Sequence, residues 1–163
     1  MGTGKSTVSR LLSERMGWDS VDTDEVIERT AQKSIKQIFA DDGEDYFREL
    51  ESRVLVDVLK GERQVVATGG GAVLRESNRR VMQREGWVIA LTADKASLIR
   101  RVTSAAAAGS RPLLAGDAEQ RVSALLQERQ QAYDFAHVMI DTTWRTPTEV
   151  TELLLNWISH SQD

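Results

Sequence analysis

An α/β fold is expected, with short parallel strands and helices on both faces of the sheet. Three observations point to it. Short apolar runs rich in valine and isoleucine alternate with stretches whose apolar residues recur every three or four positions. Strands separated by helices build βαβ units and hence parallel pairing. Glycines also cluster beside these elements, before a helix at Gly2 and Gly4 and after a strand at Gly69, Gly70 and Gly71.

In chain order, Ser6–Met16 reads as a helix, with Val8, Leu11, Leu12 and Met16 on one face and Gly17 as its stop. Ser20–Asp22 is a short extended segment. Ser34 followed by Gln37 is a capping box that opens a helix ending near Gly43. Across Glu44–Lys60, Phe47, Leu50, Val54 and Val58 fall at helical spacing. Gln64–Thr68 is a buried strand, Ser77–Glu85 a helix, Trp87–Leu91 a strand and Lys95–Thr103 a helix. Ala105–Asp117, with its run of alanines and Arg111-Pro112, breaks the pattern and reads as a mobile loop. Ala118–Phe135 is a long helix, His137–Asp141 a strand and Thr148–Ser159 a final helix after Pro147.

The 163 residues suffice for one domain, 1–163, with a core that removes roughly two-thirds of the unfolded surface from water. The net charge of −4 argues against a nucleic-acid binder. The absence of cysteine excludes disulfide scaffolds, thiolate zinc sites and cysteine nucleophiles. His137 and His160, the only two histidines, are far apart in sequence. No apolar run approaches the ~18 residues of a membrane span, and no basic-then-apolar signal opens the sequence. A cytoplasmic monomer without membrane or nucleic-acid partners is expected.

The chemistry begins at Gly2-Thr3-Gly4-Lys5-Ser6-Thr7, the second half of a G-x-x-x-x-G-K-[ST] phosphate loop at a helix start. Gly2 and Gly4 would let backbone N–H groups approach phosphates, Lys5 would reach the β and γ phosphates and Ser6 would ligate Mg²⁺; the alternative is a flexible N-terminal tail. The first glycine of the motif would lie two residues before Met1, and no strand precedes the loop. The sequence is therefore expected to be a fragment or, as the preferred reading, to begin at an internal methionine of a longer protein.

Asp22 and Asp24 flank Thr23 at a strand end. One carboxylate can orient a metal through water while the other meets a substrate hydroxyl; alternatively, Asp24 belongs to a helix cap. Arg48 and Glu51 lie one turn apart and read as off the apolar stripe, either as a solvated ion pair or as part of a site. Gly69, Gly70 and Gly71 suit either a backbone that touches a ligand at the carboxyl edge of a parallel sheet or a generous turn. Arg111 lies in the irregular loop, where it can close onto a transferring phosphoryl group. Arg129 falls on the stripe of Val122, Leu125, Leu126 and Tyr133, so it needs an anion, either an acidic side chain or a substrate carboxylate.

Taken together these residues resemble shikimate kinase, from Gly2 to about Val150. The ordered pieces are Gly2–Thr7, Asp22–Asp24, Ser34-Ile35, Ile38-Phe39, Asp42-Gly43-Glu44, Phe47-Arg48 with Glu51, Ala67–Val73, Arg111–Leu114, Arg129 with Tyr133, and Asp141-Thr142 before Pro147. The resemblance implies a three-layer α/β/α P-loop kinase fold, with four of the family's five parallel strands present and a lid over about 105–117. It implies phosphorylation of the shikimate 3-hydroxyl by ATP in the pathway to chorismate. Lys5, Asp24 and Arg111 would be catalytic. Asp24, Arg48, Gly69, Gly70, Gly71 and Arg129 would bind shikimate. Gly2, Thr3, Gly4, Lys5, Ser6, Thr7, Arg101, Arg111, Arg145 and Pro147 would bind ATP, and Ser6 and Asp22 would hold Mg²⁺. The alternatives are a kinase for another small metabolite such as gluconate, and a truncated, non-catalytic shikimate-binding module.

Overall fold

The computed structural model describes residues 2–107, 115–128 and 131–161. Contacts divide the chain into two compact units, Ser9–Trp87 and Met1–Val8 with Val88–Asp163.

In the first unit β1 (Asp19–Asp22) pairs in parallel with β2 (Gln64–Ala67), with Asp19 opposite Gln64 and Asp22 opposite Ala67. Helix α1 (Lys5–Met16) leads into β1. Between the strands lie α2 (Thr23–Ala31), α3 (Ile35–Asp41) and α4 (Gly43–Val58). After β2 come a 3₁₀ turn, Ala72–Leu74, and α5 (Glu76–Glu85). The helix starts follow local chemistry. The Asp22 carboxylate accepts from the Asp24 N–H at 2.9 Å and caps α2. Ser34 and Gln37 form the expected capping box of α3. Ile27, Ile38, Phe47, Leu50 and Val54 from α2, α3 and α4 make one buried cluster. Burying such side chains contributes about 1.5–3 kcal/mol each.

In the second unit β3 (Ile89–Thr92) pairs in parallel with β4 (Val138–Asp141). Helices α6 (Lys95–Ala107) and α7 (Ala115–Glu128) lie between them, and α8 (Pro147–His160) follows β4. Leu98, Val102 and Val122 form its buried cluster.

The four expected strands are present, but as two separate parallel pairs rather than one sheet. The strand expected from Trp87 begins at Ile89. The Val88 N–H donates to His137 Nδ1 at 2.9 Å instead of to a backbone carbonyl, and the regular ladder starts at Ile89, two residues later than expected. The loop expected over 105–117 is shortened from both ends, by α6 to Ala107 and by α7 from Ala115. Alanine is the best helix former, and the run of alanines extends α6. Residues 108–114 lie outside the described ones. The long helix expected to reach Phe135 is described as far as Glu128; residues 129 and 130 lie outside the described ones, and residues 131–135 form a turn in which Ala136 N–H donates to Tyr133 O at 2.9 Å. Its expected stripe is also narrower: Val122 is buried, but Leu126 is 40% exposed. The last helix starts one residue earlier than expected, with Thr146 as cap in a second capping box and Pro147 at its first position.

Candidate active site

The unit containing β3 and β4 carries the phosphate-loop residues. Gly2 and Gly4 adopt φ of 76° and 85°, left-handed backbone that favours glycine. Helix α1 begins at Lys5, and its Val8 N–H donates to Gly4 O at 2.9 Å. The first-turn N–H groups of a helix have no partners inside the helix, which suits an anion. Beside this loop opens a cleft of about 420 Å³, bordered by Gly2, Thr3, Gly4, Arg101, Arg145 and Pro147.

Arg101 ties the two walls of the cleft together. Its Nη1 donates to Gly2 O at 3.1 Å and to Thr142 Oγ1 at 3.0 Å, while Nη2 donates to Thr142 O at 2.7 Å. Arg145 Nη1 donates to Asp141 O at 2.6 Å. The Thr143 hydroxyl, followed by the Thr143 backbone N–H, holds the Asp141 carboxyl below its usual range.

The unit containing β1 and β2 carries the acceptor-site candidates. β1 ends on Asp22, and the next two residues open α2. Thr23 is buried, and its hydroxyl accepts from the Gly69 N–H at 3.1 Å. This bond joins Asp22–Asp24 to the glycine turn that follows β2. A Cβ on Gly69 would lie 2.8 Å from Asp24 Oδ1 and 2.9 Å from Glu51 Oε1, so both carboxylates face the same stretch of main chain. A Cβ on Gly71 would lie 2.8 Å from the guanidinium carbon of Arg48. Among the described residues the N–H groups of Gly70 and Gly71 have no hydrogen-bond partner.

Arg48 Nη1 donates to Glu51 Oε2 at 2.7 Å, and its guanidinium carbon lies 5.3 Å from the Phe47 ring centre. Glu51 is 2% exposed, which overturns the reading of a solvated pair off the stripe. With Phe47, Leu50, Val54 and Leu55 it belongs to the buried face of α4. Burial raises the Glu51 carboxyl above its usual range; the Arg48 hydrogen bond pulls the other way, and nearby Asp24 adds to the rise. The sequence pairs Glu51 with Arg48 but gives it no role in the site. Its signal is the spacing 47, 51, 54, 58, which puts a carboxylate among apolar positions.

Thus Asp24, Arg48, Gly69, Gly70 and Gly71 come together in one unit, and Gly2, Thr3, Gly4, Arg101, Arg145 and Pro147 surround one cleft in the other. Lys5, Ser6 and Thr7 form the first turn of α1, with Lys5 half-buried and Ser6 and Thr7 exposed. Arg111 and Arg129 lie outside the described residues. Among the described residues no three His, Cys, Asp or Glu side chains gather into a metal site, and no helix is long and apolar enough to cross a membrane.

The sequence profile of the shikimate kinase family matches residues 1–159. A shikimate kinase of Gloeobacter violaceus is 44% identical over 155 residues, covering 94% of this chain and 86% of that protein. One of Thermodesulfovibrio yellowstonii is 38% identical over 156 residues, covering 95% and 88%. Among solved structures, a shikimate kinase from Acinetobacter baumannii in complex with shikimate matches with a TM-score of 0.87 at 33% identity, over 99% of this chain and 89% of that one. The shikimate kinase of Aquifex aeolicus matches with a TM-score of 0.81 at 30% identity, over 99% and 93%.

Proposed function

The chain belongs to the shikimate kinase family, and from that premise we propose that it transfers the γ-phosphoryl group of ATP to the 3-hydroxyl of shikimate, on the route to chorismate. Its fold class is the three-layer α/β/α P-loop kinase fold of that family. The observation that carries the reading is the convergence of Asp24, the Arg48–Glu51 pair and the Gly69–Gly71 turn in one unit. Together they offer a base, a cation and backbone donors to a polyhydroxylated carboxylate.

In the reaction, the 3-hydroxyl oxygen attacks the γ phosphorus, the bond from that phosphorus to the β–γ bridging oxygen breaks, and ADP leaves. Asp24 accepts the hydroxyl proton. Arg48, held rigid by Glu51, meets the substrate carboxylate together with Arg129, and a guanidinium fork fits two oxygens. The free N–H groups of Gly70 and Gly71 contact the same ligand. Gly2, Thr3, Gly4, Lys5, Ser6 and Thr7 cradle the phosphates, Lys5 neutralises developing charge, and Arg111 closes on the transferred group. The adenine enters the cleft between Arg101 and the Arg145–Pro147 segment. Most of the acceleration is positioning and charge neutralisation.

Ser6 and Asp22 are the residues we assign to Mg²⁺; each would supply an oxygen, and the ion would keep water and phosphate ligands. When bound, it would neutralise phosphate charge. We further propose a single cytoplasmic domain that acts as a monomer.

Shikimate-dependent ADP release by the 163-residue chain with Mg-ATP tests the reading. Saturable turnover with shikimate is expected. Turnover only with gluconate, or shikimate binding without turnover, would overturn it.

A further inference from the structure

We propose that Thr23 and Asn78 are positioning residues for the acceptor substrate, acting through the backbone of the glycine turn that they hold at its two ends. The proposal rests on the reading of this unit as the acceptor site.

At the entrance to the turn, Thr23 is 1% exposed and its Oγ1 accepts from the Gly69 N–H, 46 positions away in sequence. Thr23 is also flanked by Asp22 and Asp24. One hydroxyl therefore fixes the turn against the segment that carries the proposed base. The fit there is close: the Cβ position of Gly69 lies within 3 Å of both Asp24 Oδ1 and Glu51 Oε1. A shift of a few tenths of an ångström changes what the substrate hydroxyl meets.

At the exit, Asn78 is 2% exposed, and its Nδ2 donates to Ala72 O at 3.0 Å. Arg79, next on α5, adds Nη1 bonds to Val73 O at 2.7 Å and Leu74 O at 3.1 Å. Within the turn, Ala72 N–H donates to Gly69 O and Leu74 N–H to Gly71 O, each at 3.1 Å. These ties fall at the ends of the turn or across it, and among the described residues the N–H groups of Gly70 and Gly71 have no hydrogen-bond partner. Glycines confer no rigidity of their own, since they forfeit more backbone entropy than any other residue. Thr23 and Asn78 are the two buried side chains among these ties, and they hold the turn from either end.

The test uses the whole chain with Thr23→Val, Thr23→Ser and Asn78→Ala. Thr23→Val keeps the shape and loses the hydroxyl acceptor, whereas Thr23→Ser keeps the hydroxyl. Thr23→Val and Asn78→Ala should each raise the KM for shikimate about tenfold, with the KM for ATP unchanged and kcat within about threefold. Thr23→Ser should restore the wild-type KM. Thermal shifts provide a second readout, in which the upshift by shikimate shrinks while that by ATP persists. Variants that melt earlier but bind shikimate as wild type does would reduce both residues to structural ones and overturn the proposal. Wild-type protein inert towards shikimate would instead overturn the functional reading itself, and the proposal with it.

Discussion

Gly71 is pressed against Arg48: a methyl group at position 71 would stand 2.8 Å from the guanidinium carbon, far inside van der Waals contact. The arginine lies over the glycine because no side chain intervenes. Gly71→Ala must push the guanidinium away from its place beside Glu51. The KM for shikimate should rise about tenfold or more, with the KM for ATP unmoved. Initial-rate kinetics in both substrates check this, and an unchanged KM for shikimate would remove Arg48 from the acceptor site.

Glu51 gives the chain a pH signature. Burial holds its carboxyl above the usual 4.5 despite the Arg48 hydrogen bond. A raised value means that the folded chain binds this proton more tightly than the unfolded chain. The stabilisation is complete below pH 4.5 and fades as pH climbs through the folded value. Wild type should lose stability relative to Glu51→Gln as pH rises from about 4 to 7. Urea midpoints of both proteins across that range decide it, and parallel curves would refute it.

Arg101 should matter to nucleotide and not to acceptor. Arg101→Ala breaks the bonds to Gly2 and Thr142 and loosens both walls of the cleft. The expected result is about a tenfold rise in the KM for ATP and a loss of about 1–3 kcal/mol in unfolding free energy. Shikimate binding measured by calorimetry should stay at the wild-type level.

Arg111 and Arg129 should separate by kinetic role. Arg111→Ala should lower kcat on the order of a hundredfold while shikimate affinity holds, as expected for a group that stabilises charge in the transition state. Arg129→Ala should mainly weaken shikimate capture. An unchanged shikimate Kd would make Arg129 a partner for an internal carboxylate.

Thr146→Ala removes one half of the α8 capping box, in which the hydroxyl accepts from the Glu149 N–H at 3.2 Å. The loss should be about 1 kcal/mol, or a fall in Tm of about 2–4 °C. The KM for shikimate should not change, because Thr146 belongs to the unit of β3 and β4 and not to the one that carries Asp24, Arg48 and Gly69–Gly71.

Much of this was open to reading in the residues themselves. Ser34 and Gln37 announce α3 because a capping box is local chemistry. Thr146 and Glu149 carry the same signal for α8, but a reading that halts at Pro147 starts the helix too late. Glu51 is hidden by its own polarity. Apolar periodicity discards it as a surface residue, although its spacing from Phe47 and Val54 marks the buried face. Trp87 misleads in the opposite direction: an aromatic next to Val88 and Ile89 suggests a strand, yet it is 42% exposed. The contacts of Thr23 with Gly69 and of Arg48 with Gly71 span 46 and 23 positions, and no local pattern encodes them.

The grip of Arg101 on Gly2 and Thr142 determines when its freedom is lost. A free arginine side chain carries about 2 kcal/mol of rotamer entropy. Here the hydrogen bonds to main-chain oxygens immobilise it as the unit folds. A nucleotide entering the cleft meets a guanidinium plane already at rest, so little ordering is left to oppose its binding. Warming the protein should therefore weaken nucleotide binding abruptly where this unit begins to open, rather than gradually across the whole range.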